Sequence, residues 1–189
     1  MGNIAKIVLP GLLVVVIVLG FYFYTAEGSV RGPEQPVPFS HKIHAGENRV
    51  ACTYCHNYAA VSPWPGIPSV QKCMGCHTQV AGRDVEYEYN GNTINIREEI
   101  KKFKEDYGNR NIPVPWTKVH YLPDHVHFVH NSHIRRGFEC QTCHGEVQNM
   151  DVVHRVQDLK MGWCVSCHEA NARDEKEVAQ LKDCLTCHY

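Results

Sequence analysis

No sign of charge dominates this sequence: 19 Lys and Arg stand against 20 Asp and Glu, a net charge of -1 over 189 residues. Without a basic excess there is no footing for nucleic-acid binding, and there is no acidic tail to serve as a solvated arm. Periodic hydrophobicity is scarce beyond the first 26 residues, which argues against a core of long amphipathic helices or alternating strands. A stray cysteine is missing too. All ten cysteines belong to pairs spaced C-x-x-C, each with a histidine directly after.

The five copies are Cys52-Thr-Tyr-Cys55-His56, Cys73-Met-Gly-Cys76-His77, Cys140-Gln-Thr-Cys143-His144, Cys164-Val-Ser-Cys167-His168 and Cys184-Leu-Thr-Cys187-His188. C-x-x-C-H is the attachment signature of c-type haem. On a helical turn, positions i, i+3 and i+4 share one face, so two thiols reach the two vinyl groups while the histidine rises beneath the iron as proximal ligand. Zinc sites and a disulfide framework are the competing readings of ten cysteines. Neither accounts for a histidine after every pair. Five covalently bound haem c groups are therefore expected.

From Ile7 to Ala26 the chain runs without a charge, IVLPGLLVVVIVLGFYFYTA. About 20 apolar residues suffice to cross a hydrocarbon core. Lys6 precedes the run, Tyr22 and Tyr24 mark an interfacial belt at its far end, and Pro10 is tolerable in the first turns. A cleaved signal peptide is the alternative, but the run exceeds its usual apolar length and bulky Tyr24 stands where a small residue belongs. Residues 1–26 are thus expected to form a retained transmembrane anchor. Haem attachment occurs outside the bacterial cytoplasm, so the expected place is the inner (cytoplasmic) membrane, single-pass, with the haem domain on the periplasmic side.

The stretch 27–38 is rich in Gly and Pro and reads as a linker to a haem domain over 39–189. Within that domain an element repeats. Phe39-Ser-His41-Lys-Ile-His44 precedes Cys52, and Phe128-Val-His130-Asn-Ser-His133 precedes Cys140; both read F-x-H-x-x-H, ending 8 and 7 residues before the cysteine. Two tandem haem pairs result, over 39–81 and 125–170, with a fifth site in 171–189. The insertion 82–124 holds a capping-box-like Asn95-Ile-Arg-Glu98 and a helical spacing of Ile96, Ile100, Phe103 and Tyr107 up to Gly108. Core packing is the expected use of that helix. Another helix is expected over Ala172–Asp183. The fold class is mainly α with little regular secondary structure, because macrocycles would supply much of the buried apolar surface.

Thirteen histidines less the five of the motifs leave eight: His41, His44, His120, His125, His127, His130, His133 and His154. The recurring context makes His41, His44, His130 and His133 the candidate distal ligands. For the fifth iron, His120, His125, His154, Met150 and Met161 compete, and a methionine there would raise the potential. His127, alternating with Val126 and Phe128, reads as structural. An iron with histidine on both faces has no open position, so it exchanges electrons and binds no substrate.

The paired F-x-H-x-x-H before C-x-x-C-H resembles the class III multihaem cytochromes c. The anchor, the five sites, PVPFSHKIHAG at 37–47, VHYLPDHVHFVHNSHI at 119–134 and MGWCVSCH at 161–168 resemble, more narrowly, the pentahaem cytochrome subunit of bacterial alternative complex III. That resemblance spans nearly the whole chain. It implies an electron-transfer subunit, without catalytic residues of its own, in a membrane-bound quinol:acceptor oxidoreductase of the respiratory chain. The implied partners are a polytopic quinol-oxidising subunit, an iron–sulfur/molybdopterin-like subunit and a monohaem cytochrome c. It likewise implies His41, His44, His130 and His133 as distal ligands. Membrane-anchored quinol dehydrogenases of the NapC/NrfH type are the alternative, although they usually carry four haems. A catalytic multihaem reductase would require an open iron.

Overall fold

The computed structural model describes residues 10–21 and 32–189, and the chain divides after Arg31 into two units. In the first, residues 10–21 form helix α1, whose apolar side chains Leu12 to Leu19 and Phe21 leave about half or more of their surface exposed. Among the described residues no helix is long and apolar enough to cross a membrane. The expected anchor over 1–26, with its uncharged run 7–26, runs past the described residues at both ends.

The second unit is assembled from short pieces. Each C-x-x-C pair lies on a helical turn: α2 (Cys52–Cys55), α3 (Val70–His77), α6 (Cys140–His144), α7 (Met161–Asn171) and α9 (Cys184–Cys187). The F-x-H-x-x-H elements form a π-helical turn, Lys42–Glu47, and helix α5, His130–Arg135. The other expected helix is shorter than the sequence suggested. It is α8, Glu175–Leu181, because Asp174 caps it by accepting from the Glu177 amide at 2.8 Å. Glu177 in turn receives Arg136 and Arg173, both at 2.9 Å, which ties α8 to the end of α5 and holds its carboxyl far below the usual range.

The insertion holds an element the hydrophobic pattern did not reveal. Strands β1 (Glu86–Tyr89) and β2 (Asn92–Asn95) pair antiparallel, with Tyr89 opposite Asn92. Asn90 and Gly91 between them have φ of 52° and 81°, as a two-residue turn of primed type requires. Tyr87 and Tyr89 share one face of β1. The Tyr89 hydroxyl donates to the Phe39 carbonyl at 3.3 Å. Those of Tyr87 and Ser40 converge on one Asp151 oxygen at 2.5 and 2.6 Å. The hairpin therefore pins the first histidine repeat. Burial lifts both phenols to about 12, so they remain donors.

Helix α4 (Ile96–Phe103) follows directly, capped by Asn95, whose side chain accepts from the Glu98 amide at 3.2 Å. It continues as a π-helical turn to Gly108, where the sequence spacing ends. Phe103 joins Val70 and Met74 of α3 in the buried cluster, with Val37, Cys73, Tyr107 and Val114 around it. Residues 32–38, read from sequence as linker, are laid on this body: the Gln35 amide bonds both backbone groups of Thr117, at 2.9 and 3.1 Å. At Gly46 the π-helical turn comes so near the carbonyl of Gln148 that a Cβ would sit 2.3 Å from it.

Six apolar side chains are buried among the described residues, none completely. With so few, each counts. Phe103→Ala should destabilise the folded protein by about 3 kcal/mol, read as a lower denaturant midpoint by far-ultraviolet circular dichroism.

Candidate haem-binding sites

A histidine that ligates through Nε2 ordinarily donates its other ring N–H to a fixed acceptor, which sets tautomer and ring orientation. Four of the five motif histidines do so. His56 donates through Nδ1 to the Gly66 carbonyl at 3.0 Å, His77 to Val80 at 3.0 Å, His168 to Leu181 at 3.0 Å and His188 to His125 at 2.9 Å. Gly66 has φ of 72°, and a Cβ there would lie 3.2 Å from the Tyr58 ring, so this acceptor needs glycine. The fifth, His144, has its Nδ1 3.4 Å from Nε2 of His120.

The repeats match each other as closely in space as in sequence. Phe39 stacks on His44 at 4.4 Å and meets His41 edge-on at 4.9 Å; Phe128 stacks on His133 at 4.4 Å and meets His130 edge-on at 4.7 Å. The last histidine of each donates through Nδ1 to the carbonyl four residues back, His44 to Ser40 at 2.8 Å and His133 to Val129 at 2.9 Å. His130 donates to the Pro63 carbonyl at 3.1 Å. The phenylalanine is the wall that orients both imidazoles, and the i, i+3 spacing sends them to different motifs.

Two imidazoles on opposite faces of one iron, each bonded at about 2 Å, place their ring centres about 6 Å apart. His44 lies 6.1 Å from His77, His133 lies 6.1 Å from His168, and His130 lies 6.4 Å from His144. The rings of His125 and His188 stand 5.5 Å apart. His41 has no such ring contact, but burial, with His56 and His44 behind it, lowers it to about 4, and its buried Nδ1 has no partner among the described residues. Burial, with His120 and His130, holds His144 neutral down to about 4 as well. Neutral imidazole is the ligating form.

The remaining candidates sit elsewhere. His120 is 4.5 Å from His144 at 83°, too close to be its counterpart across an iron. His154 neighbours His120, Met161 is 68% exposed at the start of α7, and the Met150 carbonyl accepts from the Lys42 amide at 2.9 Å. His127 stacks on Tyr189 at 4.2 Å.

The thiols also reveal how the motifs adjoin. Burial raises Cys55, Cys73, Cys140, Cys143 and Cys164 above the usual thiol range, and neighbouring thiols raise them further. Those neighbours are Cys76 for Cys55, Cys55 for Cys73, Cys52 for Cys140, Cys167 and Cys164 for Cys143, and Cys187 for Cys164. In space the motifs thus run second, first, third, fourth, fifth. Among the described residues no three His, Cys, Asp or Glu side chains gather closely enough to hold a bare metal ion. Donors paired about 6 Å apart beside two thiols suit a macrocycle that carries its own four nitrogens.

Comparison with known proteins agrees. Residues 25–99 match the class III cytochrome c family, and residues 126–189 match cytochrome c7 and related cytochromes c. Both stretches are therefore similar to class III/c7-type multihaem cytochromes c, families of covalently bound haem and electron transfer. A curated relative is the menaquinone reductase multihaem cytochrome c subunit of Nitratidesulfovibrio vulgaris, 29% identical over 196 residues, covering 93% of this chain and 86% of that protein.

Two substitutions test these sites. Cys143→Ser should leave the haem of the third motif on a single thioether or lose it, seen as altered pyridine-haemochrome spectra and lower haem per chain; wild-type values would contradict the assignment. His133→Ala should turn one haem high-spin by electron paramagnetic resonance while the rest stay low-spin.

Proposed function

We propose that this chain is a five-haem electron wire, each iron closed by two histidines: His41 and His56, His44 and His77, His130 and His144, His133 and His168, His125 and His188. Three ring pairs near 6 Å, with Nδ1 of five of their six histidines anchored on backbone carbonyls and Nε2 left for iron, carry this reading. Haem supplies the one-electron chemistry when bound. The chain's own residues attach it, orient the axial imidazoles and deny the irons an open position. Electrons pass along the order of the motifs, between a terminus at His77 and one at His188.

The wire belongs to a membrane-bound, quinone-linked oxidoreductase, with residues 7–26 as its single anchor and the haem domain on the periplasmic side. Quinone chemistry falls to a polytopic partner, and an iron–sulfur/molybdopterin-like subunit and a monohaem cytochrome c complete the assembly, as in alternative complex III. A second reading reverses the flow, so that the wire delivers electrons for menaquinone reduction; the relative of that name favours it.

Solubilising the native membrane and purifying by a tag on this chain tests the assembly. Companions with quinone-binding membrane spans and an iron–sulfur/molybdopterin-like subunit are expected, and reduction of the haems by added menaquinol, or oxidation of reduced haems by menaquinone, gives the direction. Recovery of the chain with only a nitrite or nitrate reductase would contradict the proposal.

A further inference from the structure

One motif histidine is held differently from the other four. His144 lacks a backbone carbonyl acceptor; its Nδ1 faces Nε2 of the His120 side chain at 3.4 Å, with the rings perpendicular at 83° and their centres 4.5 Å apart. If His144 ligates through Nε2, its Nδ1 must carry the proton, so His120 is the acceptor and its own proton sits on Nδ1. The His130 ring meanwhile lies 6.4 Å from His144 and within 9° of parallel, the separation expected across an iron. His120 therefore stands behind the ligand and not across the metal from it.

We propose that His120 is a positioning residue that orients His144 and sets the potential of the haem attached at Cys140 and Cys143. This rests on the reading of that site as a bis-histidine haem. A hydrogen bond to the far nitrogen of an axial imidazole strengthens its donation to iron and favours the ferric state, which lowers the potential. At the other four motif histidines the acceptor is a backbone oxygen about 3 Å away, which no side-chain substitution removes. Here a single side chain supplies it. His120 is itself partly buried, and Arg155 lies over the ring of the adjacent Tyr121 at 5.6 Å. The third motif lies mid-series, between the first and the fourth, so its potential bears on transfer in both directions.

The test uses the full chain in its native membrane complex, with His120→Leu and His120→Gln, whose amide oxygen can still accept. His120→Leu should keep five low-spin haems and shift one of the five midpoint potentials upward in a redox titration. His120→Gln should keep five low-spin haems and bring that potential back towards the wild-type value. Unchanged potentials in His120→Leu, or equal shifts in both variants, would overturn the proposal. A high-spin signal in His120→Gln would overturn it too, by making His120 an axial ligand, and this outcome can be read even if His120→Leu sheds its haem. Wild-type protein lacking low-spin haem at the third motif would instead overturn the bis-histidine reading beneath it.

Discussion

The hydrogen bond from imidazole Nδ1 to a backbone carbonyl is the constraint on which the rest depends. It recurs at His44, His56, His77, His130, His133, His168 and His188, from six different stretches of chain, His130 and His133 sharing α5. Each bond uses Nδ1 and leaves Nε2 for the ligation proposed above. Because the acceptors are main-chain atoms, local backbone shape fixes the ring. That explains why tight turns surround the motifs: Gly66 has a positive φ, and His44 and His133 each reach back one helical turn. An electron wire benefits from this rigidity, since a histidine that cannot swing away keeps an iron closed to ligands from solution.

The thin apolar core follows from the same design. Val70, Met74 and Phe103 make one buried cluster between α3 and α4, and few other apolar side chains are buried. Such a core offers little of the burial energy with which a domain offsets chain entropy. Covalent porphyrins would add large apolar faces, and under the proposed ligation each would join segments far apart in sequence. Polar clamps do the remaining work of alignment, most clearly where Tyr87 and Ser40 meet on Asp151 and join the hairpin, the first repeat and the second half.

What could be read from the sequence was what chemistry dictates at short range. The C-x-x-C pairs on helical turns and the helix capped by Asn95 follow from local spacing, although His56 and His188 fall just past their turns in non-helical backbone. The hairpin over 86–95 was missed although Asn90-Gly91 is a strong turn signal, because its strands are short and polar and show no hydrophobic alternation. The placing of His125 beside His188 was not legible: it joins residues 63 apart, and spacing ranks none of the five candidates above the others. Nor could spacing show that residues 32–38 pack down, since Gln35 finds its partner Thr117 across 82 residues.

The central proposal is that one polypeptide binds five irons with both axial positions taken by histidine. Quantifying iron against protein in the purified chain, together with low-temperature electron paramagnetic resonance of the oxidised form, tests it most directly. The account predicts five irons per chain with the whole spin count in low-spin ferric signals. Fewer than five irons, or a high-spin ferric signal in the native protein, would contradict it.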